Sequence, residues 1–170
     1  MKWKEFKEAA PELAPVAENL FEQSGVVLIG TIRKDGSPRI SPVETLVIDG
    51  NLYMGMMWRS LKALDLLRDP RCTVHNNVSD PMSPDGEFKL YGQSIDVQDS
   101  EERRRYCQAL YEKMGWSPED TPFHLFSIDV KSAGYFMSEG GEARTLKLWK
   151  AGEQIKKFHH YIDGRLVEVD

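Results

Sequence analysis

Apolar positions near the N-terminus recur at helical spacing. Residues 3–9 form a first helix, Pro11 restarts the chain, and Leu13, Val16, Ala17, Leu20 and Phe21 fall on one face before Gly25 stops the run. This helical segment occupies about residues 1–24. The period then shortens. Residues 26–32 are β-rich, and Asp35-Gly36 turns the chain into a strand at 39–48. Asp49-Gly50 turns it again into a strand at 51–58, because Gly accepts positive φ in a tight hairpin. A short amphipathic helix begins at Ser60, with Leu61, Leu64 and Leu67 as its apolar stripe.

Further strands are predicted at 72–78 and at 88–97, the second entered through Pro84-Asp85-Gly86. A helix at 100–114 follows, with Ser100 as its cap; Arg103 stands where a capping box wants Glu or Gln. Strands at 125–137 and 143–149 flank Gly140-Gly141, and segments 158–162 and 166–169 flank Asp163-Gly164 as a last hairpin. Many short strands joined by Asp-Gly and Gly-Gly turns predict a mainly β (α+β) chain. Its antiparallel sheet curls into a barrel or sandwich with a few flanking helices. The order is not a βαβ alternation, which disfavours a doubly wound parallel sheet.

Composition narrows this picture without redirecting it. With 170 residues, 41% hydrophobic and 29% charged, the chain suits one domain spanning 1–170. Its net charge of −5 argues against a generally basic nucleic-acid surface. No apolar run approaches a membrane span, and the charged start lacks the apolar core of a signal peptide. Two cysteines, Cys72 and Cys107, form neither a disulfide framework nor a metal-spaced cluster, so a cytoplasmic protein with reduced thiols is expected. The four histidines show no ligand spacing, and no metal site is expected. The run Arg103-Arg104-Arg105, beside Glu101 and Glu102, reads as a solvated helix face. No nucleophile elbow and no electropositive cysteine niche appears, so no catalytic residue is named.

The candidate chemistry gathers where the 51–58 strand meets the next helix. A helix start exposes unpaired N–H groups and partial positive charge, and Arg59, the Ser60 hydroxyl and Lys62 add donors at that place. Such a set suits a phosphate; it equally suits a capped helix with solvated cations. Upstream, Arg39-Ile40-Ser41-Pro42-Val43 carries a proline that removes a ladder donor. It reads either as an irregular strand open to a planar heterocycle or as a protected edge. Met54, Met56 and Trp58 share one strand face and Met57 the other, as core or as the lining of a flat pocket. Trp149 carries the same ambiguity on a later strand.

Three stretches, Thr31-x-x-x-Asp35-Gly36-Ser37-Pro38-Arg39-Ile40-Ser41-Pro42-Val43, Asp49-Gly50-x-Leu52-Tyr53 and Ser60-x-Lys62-x-x-Asp65-Leu66-x-Arg68-Asp69-Pro70-Arg71, together resemble the pyridoxamine 5′-phosphate oxidase-related, FMN-binding split-barrel superfamily. The resemblance lies in residues 26–78. It implies an antiparallel split β-barrel that forms a homodimer with two cofactors at the interface. It also implies an FMN-binding oxidoreductase acting on a small molecule. Carried over, Ser60 and Lys62 hold the cofactor phosphate with Arg59 as helper, and Arg39, Ser41, Pro42 and Val43 lie along the flavin ring. Met57 and Trp58 lie near the ring or the ribityl chain, and Lys89 and Trp149 are the partner-facing candidates. Leu61 stands where pyridoxamine phosphate oxidases carry Arg, and their C-terminal Arg- and His-bearing motif is not found, so vitamin B6 oxidation is not implied. Related branches implied by the same resemblance bind the deazaflavin F420 as reductases, or bind haem, or bind no cofactor; a non-catalytic flavin or haem binder is the rival expectation.

Overall fold

The computed structural model describes residues 1–78, 85–138 and 143–169. Among the described residues, four helices and ten strands follow one another: α1 (Trp3–Ala9), α2 (Ala14–Ser24), β1 (Val27–Ile32), β2 (Pro38–Val43), β3 (Leu46–Ile48), β4 (Asn51–Met57), α3 (Leu61–Arg68), β5 (Arg71–Asn76), β6 (Glu87–Asp96), α4 (Ser100–Met114), β7 (Phe123–Met137), β8 (Ala143–Lys150), β9 (Lys156–Tyr161) and β10 (Leu166–Val169). The predicted turn at Gly140-Gly141 and the Pro84 end of the turn before β6 lie outside the described residues.

All strands pair antiparallel in one sheet, ordered β10-β9-β8-β7-β6-β5-β1-β2, with β4 and β3 branching from β7. The branch arises because β7 is fifteen residues long and changes neighbours. Its first half pairs with β4, Tyr53 opposite Ser127, and its second half with β8, Ala133 opposite Trp149. The sheet curls so that β2 returns beside β4 without forming a ladder with it. That unclosed seam is the split in the barrel, and it positions the candidate site.

Strand alternation accounts for the core. Val27 and Ile29 of β1, Val74 of β5, and Phe88 and Leu90 of β6 point inward. Trp3, Phe6, Leu13 and Phe21 of the N-terminal helical segment complete this cluster, with Phe6 against Trp149 at 4.9 Å and Phe21 edge-on to Phe88 at 5.9 Å. A second cluster lies under α4, where Tyr106, Cys107 and Leu110 meet Leu46, Tyr53 and Phe123. Strand β4 is therefore covered on both faces, which explains its nearly unbroken apolar run.

Several sequence expectations need correction. The strand expected at 39–48 is two strands, interrupted at Glu44-Thr45 where the chain leaves the seam. Pro15, not Pro11, occupies the first turn of α2. Asp99, not Ser100, caps α4: its carboxylate accepts from the Glu102 N–H at 2.8 Å, and Ser100 is the first helical residue. The Leu61, Leu64 and Leu67 stripe is exposed, Leu61 to 62%. Instead α3 lays Ala63 and Leu66 on β1, because small Ala63 permits close approach and Asp65, on the same side, is met by Thr31 and Arg39. Trp58 lies beyond the end of β4, so it leaves the face shared by buried Met54 and Met56. Arg103 is not simply solvated. It donates to the carbonyls of Val97 and Phe123 at 3.0 and 2.8 Å and lies over the Phe123 ring.

Candidate functional site at the barrel seam

After β4 the chain turns sharply through Trp58 and Arg59 into α3. Arg59 has φ 55°, a left-handed conformation uncommon for a residue with a Cβ. Ser60 occupies the cap position of α3, and its carbonyl accepts from the Leu64 N–H at 3.0 Å. Its side chain makes no cap, and its buried Oγ has no hydrogen-bond partner. A buried hydroxyl beside an uncapped helix start is costly unless something fills its bonds. Lys62, two residues on, donates its ammonium across the seam to the carbonyl of Pro42 on the edge strand β2. Burial lowers the Lys62 pKa below the ordinary lysine value, and the Glu44 carboxylate partly opposes this.

The seam opens into a cleft of about 510 Å³. Pro42, Val43 and Glu44 form one wall and Met56, Met57 and Trp58 another; Trp116, Pro118, Pro122 and Phe123 arrive from the end of α4 and the start of β7. Both tryptophans are more than half exposed, Trp58 to 56% and Trp116 to 51%, although they line a concave surface. Tyr106 closes the floor. A Cβ built on Gly55 would lie 2.3 Å from the Tyr106 hydroxyl, so only glycine lets α4 approach β4 this closely. The cleft thus combines flat apolar walls with one ammonium and one carboxylate, a surface suited to a planar ligand carrying a charged end.

Of the residues expected to act together, Pro42, Val43, Met57, Trp58 and Lys62 do line this cleft. Ser60 adjoins it through the helix start, and Arg59 stands exposed in the turn outside the walls. Arg39 and Ser41 are not brought in. The Arg39 Nε donates to Asp65 at 2.7 Å behind α3, and Ser41 pairs with Ile29 within the β1–β2 ladder. Lys89 lies on the outer sheet face beside Glu87 at 3.7 Å. Trp149 is buried against Phe6 in the core, which removes it as a partner-facing residue. Sequence reasoning passed over Glu44, Tyr106, Trp116 and Phe123. The one available signal was Trp116 in a Gly-Trp-Ser-Pro loop, where core packing does not call for a large aromatic.

A second depression of about 650 Å³ adjoins the first, sharing Trp58, Thr121 and Phe123. His124 lines it, stacked on Trp58 at 4.5 Å with its Nε2 unpartnered. Burial pushes the His124 pKa down, favouring the neutral ring. Both thiols are buried, and burial pushes Cys72 up to about 12, so neither is a reactive thiolate at neutral pH. Among the described residues no group of three or more His, Cys, Asp or Glu side chains is arranged to hold a metal ion, and no helix is long and apolar enough to cross a membrane.

Residues 13–136 match the family model described as pyridoxamine 5′-phosphate oxidase. No curated protein matches the chain. Among solved structures, one similar protein, from Clostridium acetobutylicum, is related to general stress protein 26 of B. subtilis, of the pyridoxinephosphate oxidase family. It is 15% identical with TM-score 0.59, over 79% of this chain and 92% of that one. General stress protein 26 of Bacillus anthracis is 18% identical with TM-score 0.55, over 71% and 91%. HutZ of Vibrio cholerae, a heme storage protein, is 14% identical with TM-score 0.57, over 88% and 96%. At these identities the likeness is one of fold.

Proposed function

Because this chain belongs to the pyridoxamine 5′-phosphate oxidase family, we propose that it is a homodimeric, FMN-binding oxidoreductase acting on a small molecule. The observation that carries the reading is the start of α3. There the buried Ser60 hydroxyl lacks a partner, the helix lacks a side-chain cap, and the Lys62 ammonium faces an aromatic cleft. These donors fit a phosphate, and the cleft beside them fits a planar ring.

In this reading Lys62 would exchange the Pro42 carbonyl for the phosphate, and Ser60 and the first N–H groups of α3 would add hydrogen bonds. Arg59, exposed in the turn, adds charge from outside. Pro42 and Val43 of one wall and Met57 and Trp58 of the other would offer their apolar surfaces to the ring. When bound, FMN supplies hydride and single-electron chemistry; the protein supplies its position and its hydrogen bonds.

Homodimerisation is supported by the uncovered outer face of the sheet. Ile40, 72% exposed, lies across Gly30 and Thr73 from Tyr91 in one row of the β2-β1-β5-β6 ladder. Leu61 and Leu64 are also uncovered, and Met57 is 81% exposed at the mouth of the cleft. Such apolar exposure favours a two-fold pairing that also closes the cleft.

Absorbance titration of the purified protein tests the cofactor. Saturable binding of FMN with a perturbed flavin spectrum is expected. Binding of F420 or haem in place of FMN, or of none of the three, overturns the FMN assignment.

A further inference from the structure

Glu44 is the acidic side chain in the wall of the seam cleft, and among the described residues none forms an ion pair or side-chain hydrogen bond with it. It sits where β2 breaks, half-buried, directly after Val43. Lys62 shares the cleft but is bonded to the Pro42 carbonyl and not to this carboxylate. Around it stand Trp58, Trp116, Phe123 and Tyr106, an aromatic lining with two exposed indoles. The influence of Glu44 on both Lys62 and Tyr106 is consistent with its position among them.

An unpaired carboxylate in an aromatic cleft discriminates by charge. It attracts a cation or an N–H edge and repels a carboxylate or phosphate, and burial strengthens both effects. Aromatic faces add a further preference for cations over anions. We propose that Glu44 is the specificity-determining residue of this cleft, selecting a planar aromatic ligand with a cationic or amino-bearing edge and no phosphate. This deepens the functional reading above and rests on it: for the phosphate of FMN, Lys62, the Ser60 hydroxyl and the first N–H groups of α3 offset the repulsion from Glu44, and with Lys62 so engaged the charge left unopposed for a second ligand is that of Glu44. A phosphorylated ring, such as the one that gives the family its name, is then disfavoured.

Calorimetric titration of the protein with benzamidine, benzoate and pyridoxamine 5′-phosphate, with and without FMN, tests this. Benzamidine is expected to bind about tenfold more tightly than benzoate or the phosphorylated ring to the FMN-loaded protein. Without FMN, a smaller preference of the same sign is expected. Glu44→Gln brings the three probes to within about twofold of one another, Glu44→Asp retains the preference, and Trp116→Ala weakens all three alike. Equal affinities in the wild type, an unchanged preference in Glu44→Gln, or no binding of benzamidine overturns the proposal. Failure of FMN itself to bind counts against the flavin reading, and the charge preference is then decided on the flavin-free protein.

Discussion

The carboxylate of Asp65 accepts from Thr31 Oγ1 at 3.0 Å, from Arg39 Nε at 2.7 Å and from both terminal nitrogens of Arg68 at 3.3 Å. It is 4% exposed, so its charge is tenable only with these partners. Burial by itself raises its pKa, but the bonds from Arg39 and Thr31 outweigh burial and hold the carboxyl below its ordinary value. A lowered folded pKa means that the stabilisation is complete above the unfolded value, about 3.9, and is lost as pH falls through the folded one. Asp65→Asn should therefore cost about 3 kcal/mol at pH 7 in urea unfolding, since it strands the Arg39 guanidinium. The gap from wild type should shrink as the pH is taken below 3.9. A gap independent of pH would show that shape and not charge matters there. In the sequence Asp65 was legible only as part of a family pattern. Nothing in local spacing tells that Thr31 and Arg39, far away in the chain, arrive to satisfy it.

At the level of elements, the contact between β4 and α4 forms the floor of the cleft. Gly55 leaves room for the Tyr106 hydroxyl, where any Cβ would collide at 2.3 Å. Gly55→Ala should destabilise the fold by about 1–3 kcal/mol in denaturant unfolding. Tyr106→Phe in the same chain should recover part of that loss, because the next ring carbon lies 3.1 Å from the added Cβ. No recovery in the double variant would place the strain elsewhere. The run 51–58 was legible as a strand from its apolar character and from Asp49-Gly50, both at positive φ as a tight hairpin requires. That both of its faces are covered was not legible, since period-2 alternation disappears when helices and barrel bury the two sides together. The same loss of contrast misdirected α3. Its sequence offers a leucine stripe and an alanine–leucine face, and the fold buries the smaller one.

For the whole molecule, turn chemistry carried most of the reading. Asp-Gly pairs marked the hairpins that make the sheet antiparallel, and the closing hairpin pairs Leu166 with His160 around Asp163-Gly164 as expected. The seam is another matter. It exists because β7 exchanges β4 for β8 halfway along and β2 stops short of pairing with β4, which depends on strand lengths and curl rather than on any local motif. Glu44 from the link between β2 and β3 meets Tyr106 of α4 and Trp116 of the loop after it only through that geometry. The proposed homodimer is likewise a property of the whole face. Ile40→Glu should shift sedimentation from dimer toward monomer at micromolar concentration by placing a charge in an apolar contact. A monomeric wild type would remove the shared-interface reading.

The central claim is that the start of α3 holds a phosphate. Titration of the wild type and of Lys62→Ala with FMN and with riboflavin, its phosphate-free counterpart, tests this by flavin absorbance and fluorescence. The account predicts that Lys62→Ala weakens FMN by about tenfold or more and leaves riboflavin within about twofold, because the lost charge acts on the phosphate alone. Equal losses for the two ligands, or equal affinities in the wild type, would contradict it.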